Sequence, residues 1–250
     1  MANERLRAAL LTKGVDAGSV ASTLRVDPKT VERWIRGRTP HRRHRLALAA
    51  ALHEDEVYLW PGGLPTGRQD DIARAEIIGV YPNRSMMGMD EWLEFFRRAK
   101  KSIGILVHAG GFLAENNRFL RLMRERAAKD VSVRILLGDP ESPEILTRGL
   151  EERLGRGVEF KVRNAIVAYS PLMGVPGISF RIHRSTLHNS IYRADEEWLI
   201  NTHIYGISAP HAPMLHLRRV PGAGLVNSYE RSFEMVWDSS AELEEGALSQ

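Results

Sequence analysis

The chain has 250 residues, 43% of them hydrophobic and 26% charged, with no cysteine and a formal charge of +4 at neutral pH. This composition suits one large globular domain or two small ones and excludes a fibrous or disordered chain. The lack of cysteine excludes a disulfide scaffold, a thiolate zinc site and a cysteine nucleophile, and agrees with a reducing compartment. Apolar stretches such as residues 102–111 fall well short of the roughly 20 residues that span a bilayer. Residues 1–7 also lack the apolar core of a signal peptide, so a cytoplasmic protein with no membrane partner is expected.

The charge is unevenly placed. Residues 1–61 hold 11 lysines and arginines against 7 carboxylates, and residues 62–250 hold 24 of each. Within the first part, residues 25–45 carry Arg25, Lys29, Arg33, Arg36, Arg38, Arg42, Arg43 and Arg45 against only Asp27 and Glu32. Such a cluster repels itself unless a polyanion is its partner.

Helical periodicity runs through the first part: Leu6, Leu10 and Leu11, then Val20, Ala21 and Leu24, then Val31, Trp34 and Ile35, then residues 46–52. In residues 17–36 the apolar positions are those of two short helices joined by a tight turn. Val20 and Leu24 pack the first, Ala21 allows close approach, Val26 plugs the turn, and Val31 and Trp34 face back from the second. Asp27 is placed to cap the second helix and Pro28 fits its first position. These constraints leave Lys29, Thr30, Glu32, Arg33 and Arg36 outward, a face suited to a major groove, where arginine or lysine reads guanine edges.

This stretch resembles the helix-turn-helix of the lambda repressor and Cro type regulators. Trp34-Ile35-Arg36-Gly37 matches the common ending of their recognition helix, and the resemblance covers about residues 3–60. The sequence departs from that family at Arg25, where a turn glycine is usual. The resemblance implies double-stranded DNA as partner. Residues 39–45 open the next helix beside the recognition helix, and Arg38, Arg42 and Arg43 are expected to hold phosphates. His41 and His44 read equally as phosphate contacts or as a polar helix start. A third ligand for a metal is lacking, so no metal and no cofactor is expected.

The punctuation Pro61-Gly62-Gly63-Leu64-Pro65-Thr66-Gly67 marks a boundary. It gives a DNA-binding domain over residues 1–61, a linker over 62–74, a second domain over 75–240 and a fraying tail over 241–250. After the boundary, helices and strands alternate, the pattern of an α/β layered domain. Trp92, Phe95, Phe96 and Ala99 follow helical spacing behind Asp90, and Phe119, Leu120, Leu122, Met123 and Ala127 do the same. Residues 103–107 and 131–137 read as buried strands. Further strands are expected near 178–182, 188–193 and 198–203, and a last helix around Tyr229, Phe233, Val236 and Trp237. The aromatics Trp92, Phe95, Phe96, Phe233 and Trp237 are expected in the core.

The sharpest chemical feature downstream is His188-Asn189-Ser190-Ile191-Tyr192-Arg193-Ala194-Asp195, followed by Trp198-Leu199-Ile200-Asn201-Thr202. With the strand ending at Asp139 upstream and residues 229–237 downstream, the order over residues 75–240 resembles one half of a phospholipase D superfamily domain. That family's motif is His, any residue, Lys, four residues, Asp, and two copies make one site. The resemblance implies a histidine that attacks phosphorus, a lysine that neutralises the phosphate and an aspartate that orients the machinery. Here the lysine position is Ser190, and Thr202 and His203 replace the small residues that usually follow.

Losing one such charge typically costs roughly 10²- to 10³-fold in rate, by analogy with single oxyanion donors. His188, Ser190 and Asp195 therefore read as vestiges of a catalytic site, with Arg181, Arg184 or Arg193 as candidates to replace the charge. His188 reads equally as a plain strand residue. His108, His183 and His203 read as structural, Asp139 as a turn residue, and Gly110 and Gly111 as either a turn or a place for close ligand approach.

The expected protein is a helix-turn-helix transcription regulator, not an enzyme. Its degraded phospholipase D-like domain dimerises the chain and binds a small ligand or a protein. The rival is a DNA-directed nuclease or phosphodiesterase that uses His188 as nucleophile.

Overall fold

The computed structural model describes residues 2–60 and 74–243. The expected boundary punctuation at 61–67 and most of the expected linker lie outside these residues. The chain forms two compact units. One comprises Met1–Glu76 with Val220–Leu225, and the other Ile77–Arg219 with the chain from Val226 onward.

The first unit contains helices α1 (Glu4–Thr12), α2 (Ala17–Leu24), α3 (Pro28–Ile35), α4 (Arg42–Leu52) and α5 (Glu56–Leu59). Each of the first three has its own capping residue. The Asn3 side chain accepts from the Leu6 amide, Asp16 from Ser19 and Asp27 from Lys29, so local sequence sets where each helix begins. Leu6, Leu10, Val20, Ala21, Val31, Trp34, Leu48, Leu52 and Leu59 close one core. Between α2 and α3, Arg25 adopts the left-handed conformation, at φ 52° and ψ 49°. Backbone geometry that favours glycine is thus kept with an L-residue, at a cost of about 1–2 kcal/mol.

One basic residue turns inward. Arg45 is 7% exposed; its Nε donates to Glu56 Oε1 at 2.7 Å and its Nη1 to the Pro40 carbonyl at 3.1 Å. The sequence reading counted it in the basic cluster. The structure makes it a core ion pair that anchors the start of α4 to α5.

The second unit is built on an eight-stranded mixed sheet. Its strands are β1 (Ile77–Tyr81), β2 (Ser102–Leu106), β3 (Ser132–Gly138), β4 (Ile178–His183), β5 (Asn189–Ala194), β6 (Glu197–Thr202), β7 (Met214–Arg218) and β8 (Ala241–Glu242). Their order is β1-β7-β6-β5-β2-β3-β4-β8. Strands β2, β3 and β4 run parallel; β5 joins β2 antiparallel and leads into the meander β5-β6-β7-β1. Helices α6 (Met89–Arg97), α7 (Gly111–Ala114), α8 (Asn117–Ala127), α9 (Pro143–Glu151) and α10 (Gly157–Tyr169) connect the first strands, and α11 (Leu225–Ser239) follows the last hairpin.

The main core joins Trp92, Phe95, Phe96, Phe119, Met123, Val162 and Tyr169 to Ile103, Ile105, Val133, Ile135 and Leu137 of the sheet. Phe233 of α11 packs on the other face of β2, where a Cβ on Gly104 would stand 3.0 Å from its ring.

Three expectations are corrected here. Trp237 is half-buried rather than core, with the guanidinium groups of Arg134 and Arg181 4.9 and 4.7 Å from its ring. The tail does not fray directly after Ser239: Ala241 and Glu242 pair with β4, and Leu243 is buried against the core. Asp195, grouped with His188 and Ser190 in the sequence, lies in the β5–β6 turn at the far end of β5 from Ser190.

Candidate functional sites

On the first unit, α3 buries Val31 and Trp34, and the 3.6-residue period then turns the intervening side chains outward. Lys29, Glu32, Arg33 and Arg36 are exposed and Thr30 is half-exposed. Arg36 lies 3.3 Å from Glu32, one helical turn away, and both remain open to solvent. Arg38 and Thr39 continue the exposed surface towards α4, which begins at Arg42 and Arg43.

His41 caps α4 by position only, with no side-chain hydrogen bond to the first turn. The α4 amides are thus left with the positive end of the helix dipole beside two exposed arginines. His44 accepts from Arg43 Nε at 3.1 Å, and its ring lies 5.6 Å from that of Trp34. Partial burial, with Arg43 and His41 beside it, holds its pKa below the usual value. Thr30, Arg33, Trp34, Arg38, Thr39, Pro40, His41 and His44 together line a shallow cleft. All eight predicted nucleic-acid contacts except Thr30 are exposed, and they occupy one stretch of 15 residues.

In the second unit the structure separates the residues that the sequence reading had grouped. Asp195 sits in the β5–β6 turn, at the far end of a strand from Ser190, about 16 Å away at the usual rise per residue. Its carboxylate accepts from the amides of Lys100, Lys101 and Ser102 at 2.7, 2.9 and 2.8 Å. Partial burial pushes its pKa up, the three amides outweigh that, and the group stays below its ordinary value. Asp195 ties the hairpin to the start of β2 and takes no part in a site with Ser190. His188 is exposed, and only its carbonyl is engaged, by the His203 amide at 2.8 Å.

None of the arginines named as replacement charges reaches Ser190. Arg181 donates to the Trp237 carbonyl and Arg184 to Asp139, and Arg193 lies beside Glu230 and Glu234. Asp139 also accepts from the Glu141 amide, as a turn residue does.

Ser190 instead belongs to a cluster that sequence reasoning had set aside. The ring of His108 lies between those of His183 and His203, at centroid distances of 5.7 and 5.5 Å. His108 follows β2, its carbonyl accepting from the Gly138 amide at 2.8 Å; His183 ends β4 and His203 follows β6.

The hydrogen bonds assign two tautomers. His203 Nδ1–H donates to the Leu187 carbonyl, so its Nε2 accepts from Ser190 Oγ–H at 3.0 Å. His183 Nδ1 accepts from the Ser185 amide, so its Nε2–H donates to the Val107 carbonyl at 3.1 Å. His108 Nδ1 is buried and has no partner. Burial lowers all three pKa values. Arg148 adds to the effect at His203, which falls to about 4, while His203, His183 and Arg148 add to it at His108, which falls well below 6.5. The rings are therefore neutral near pH 7.

Among the described residues no group of three or more histidines, aspartates or glutamates is placed to hold a metal ion. Backbone groups and Ser190 occupy the nitrogens of His183 and His203.

The cluster opens on a cavity of about 320 Å³ whose walls include His108, Ser190 and His203 with Arg84, Phe112, Arg148, Lys161 and Asn164. It sits beyond the carboxyl end of β2, where the sheet changes from parallel to antiparallel neighbours, a usual place for ligands in α/β sheets. Gly110 and Gly111 form part of its wall. Gly110 has φ 69°, and a Cβ there would stand 2.9 Å from Val107 Cγ2. His108-Ala109-Gly110-Gly111 after a strand, and His203 in a position where small residues are usual, were the two signals in the sequence. Nothing local marked Arg84, Phe112 or Arg148.

No protein-family model and no curated protein matches the chain. Among solved structures it is similar to TrmBL2, an archaeal chromatin protein described as showing a novel mode of DNA binding. That match has 15% identity and a TM-score of 0.43, over 80% of this chain and 61% of that one. It is similar also to Nuc from Salmonella typhimurium, a phospholipase D family member, at 13% identity and a TM-score of 0.43 over 67% of this chain and 96% of that one. The chain thus spans about three fifths of the archaeal protein's length. Among the described residues no helix is long and apolar enough to cross a membrane.

Proposed function

We propose that the chain is a sequence-specific DNA-binding transcription regulator that works as a dimer. In this reading the first unit is a helix-turn-helix reader of double-stranded DNA. The second is a phospholipase D-like unit that no longer hydrolyses phosphodiesters and serves dimerisation and ligand binding. The observation that carries the proposal is α3, a helix pinned by Val31 and Trp34 that turns Lys29, Thr30, Glu32, Arg33 and Arg36 away from the core. Arg33 and Arg36 read base edges, while Arg38, Arg42 and Arg43 hold phosphates beside the α4 amides. A dimer would place two such helices about 34 Å apart, or a multiple of that, along the duplex.

Support for a non-hydrolytic second unit comes from Ser190, a hydroxyl engaged with a neutral histidine where a cation would be needed, and from His188, which does not line the cavity. Selection of bound DNA from a random pool by the full chain, with and without magnesium and with a gel check of DNA integrity, tests both halves. An inverted repeat recovered from intact DNA is the expected result. Metal-independent cleavage that His188→Ala abolishes would overturn the proposal in favour of a DNA-directed phosphodiesterase.

A further inference from the structure

One cation in the wall of the second unit's cavity, the half-buried Arg84, has no ion-pair partner among the described residues. The guanidinium of Arg84 lies 3.8 Å from the centre of the Phe112 ring and lines the cavity. Its Nε is buried without an acceptor, and no carboxylate or carbonyl pairs with the group among the described residues. Arg148, in the wall of the same cavity, is the useful contrast. It donates to Glu152 at 2.8 Å, to Glu151 at 3.2 Å and to the Ile207 carbonyl at 3.2 Å. One arginine is satisfied by the fold and the other lies over an aromatic ring with no hydrogen-bond acceptor among the described residues. A buried donor left unmade costs about 1–3 kcal/mol, and more when charged.

We infer that this cavity binds a small organic anion, with its carboxylate or phosphate on Arg84 and its uncharged body between Phe112, Val158 and Pro210. The charge count sets the class. Among the described residues Lys161 is a second unpaired cation in the wall, Glu115 the one carboxylate there without an ion pair, and Glu152 is occupied by Arg148. The surplus is a single positive charge. His108, 9% exposed and with Nδ1 unpartnered, offers the ligand body a neutral hydrogen bond. A guanidinium fork takes a carboxylate or phosphate through two parallel hydrogen bonds, the geometry for which arginine is preferred to lysine.

The inference rests on the reading of the second unit as ligand-binding rather than hydrolytic, and the experiment separates the two. The full chain is titrated calorimetrically with benzoate, with inorganic phosphate and with benzamide, the uncharged analogue of benzoate. In parallel, turnover of bis(p-nitrophenyl) phosphate is followed. Saturable binding of benzoate at one site per chain, with benzamide weaker by roughly tenfold or more, is expected. Arg84→Met should reduce benzoate binding to the benzamide level, and Arg84→Lys should retain part of it. Phosphate binding that depends on Arg84 while benzoate fails would support the oxyanion site and assign it to a phosphate source.

Measurable and equal affinity for benzoate and benzamide, or no saturable binding of either benzoate or phosphate, would overturn the inference. That comparison is made on the unaltered chain and survives any misfolding of the variants. Turnover of the diester would instead overturn the non-hydrolytic reading.

Discussion

The two candidate sites use the same residue types in opposite ways. On the first unit Arg33, Arg36, Arg42 and Arg43 stand in solvent on elements adjacent in sequence, and their spacing along the chain is their spacing in space. In the second unit Arg84, His108, Ser190 and His203 come from four separated segments and are meaningful only once the sheet brings them to one cavity. An open row of cations suits a long polyanion that must be approached from outside. A half-buried arginine with no ion pair among the described residues, set beside neutral rings, suits one small molecule that can be surrounded.

The comparison can be broken first by stability. Glu56→Ala leaves Arg45 buried without its carboxylate, which should cost about 3 kcal/mol or more. The loss should fall on the first unit alone, so calorimetry should show its transition moving down while that of the second unit stays in place. A shift of both together would mean that the two do not unfold independently.

Acid should do the reverse. The pKa of His203 falls from 6.5 in the unfolded chain to about 4 in the folded one, so the unfolded state takes up the proton first. The stability this provides is complete above pH 6.5 and is lost as pH falls towards 4, a difference of roughly 3 kcal/mol. Denaturant melts across that window should weaken the second unit, and His203→Gln should flatten the dependence. An unchanged pH profile in the variant would remove the buried-histidine account.

The smallest expected effect sharpens the reading of the α2–α3 turn. Arg25 holds φ 52° on the surface, and glycine there relieves strain while adding freedom to the unfolded chain. Arg25→Gly should raise stability by about 0.5 kcal/mol, seen as a small rise in melting temperature. A loss of stability would show that the arginine side chain contributes more than its backbone costs.

How much was legible in the sequence follows the same division. The α2–α3 pair could be read because Asp27, Pro28, Val31 and Trp34 act within one turn or two of each other. The long strands β3, β5 and β6 were legible from their apolar runs, and α6 and α8 from their aromatic and aliphatic period. Edge strand β1, with both isoleucines exposed, and the two-residue β8 carry no such pattern. Helix α10 was missed because its apolar residues, Val158, Val162, Ala165, Ile166 and Tyr169, are diluted by exposed Phe160 and Val167 on its outer face.

The cavity was illegible for a different reason. A motif spacing of seven put His188 and Asp195 together in the reading, but a six-residue strand holds its two ends apart. What lies beside Ser190 is decided by pairing across the sheet, which set His203 against it from the neighbouring strand end and His108 from the loop after β2.

The central claim is that α3 reads bases while the start of α4 holds phosphates. It is tested most directly by titrating the selected DNA and a single-mismatch version with the wild-type chain, Arg33→Ala and Arg42→Ala over a range of salt. The account predicts that Arg33→Ala loses about 1–3 kcal/mol on the selected site and little on the mismatch, relaxing discrimination at one base. It predicts that Arg42→Ala weakens both DNAs alike and lowers the salt slope by about one. Identical behaviour of the two variants would contradict the division of labour and, with it, the reading of α3 as the recognition helix.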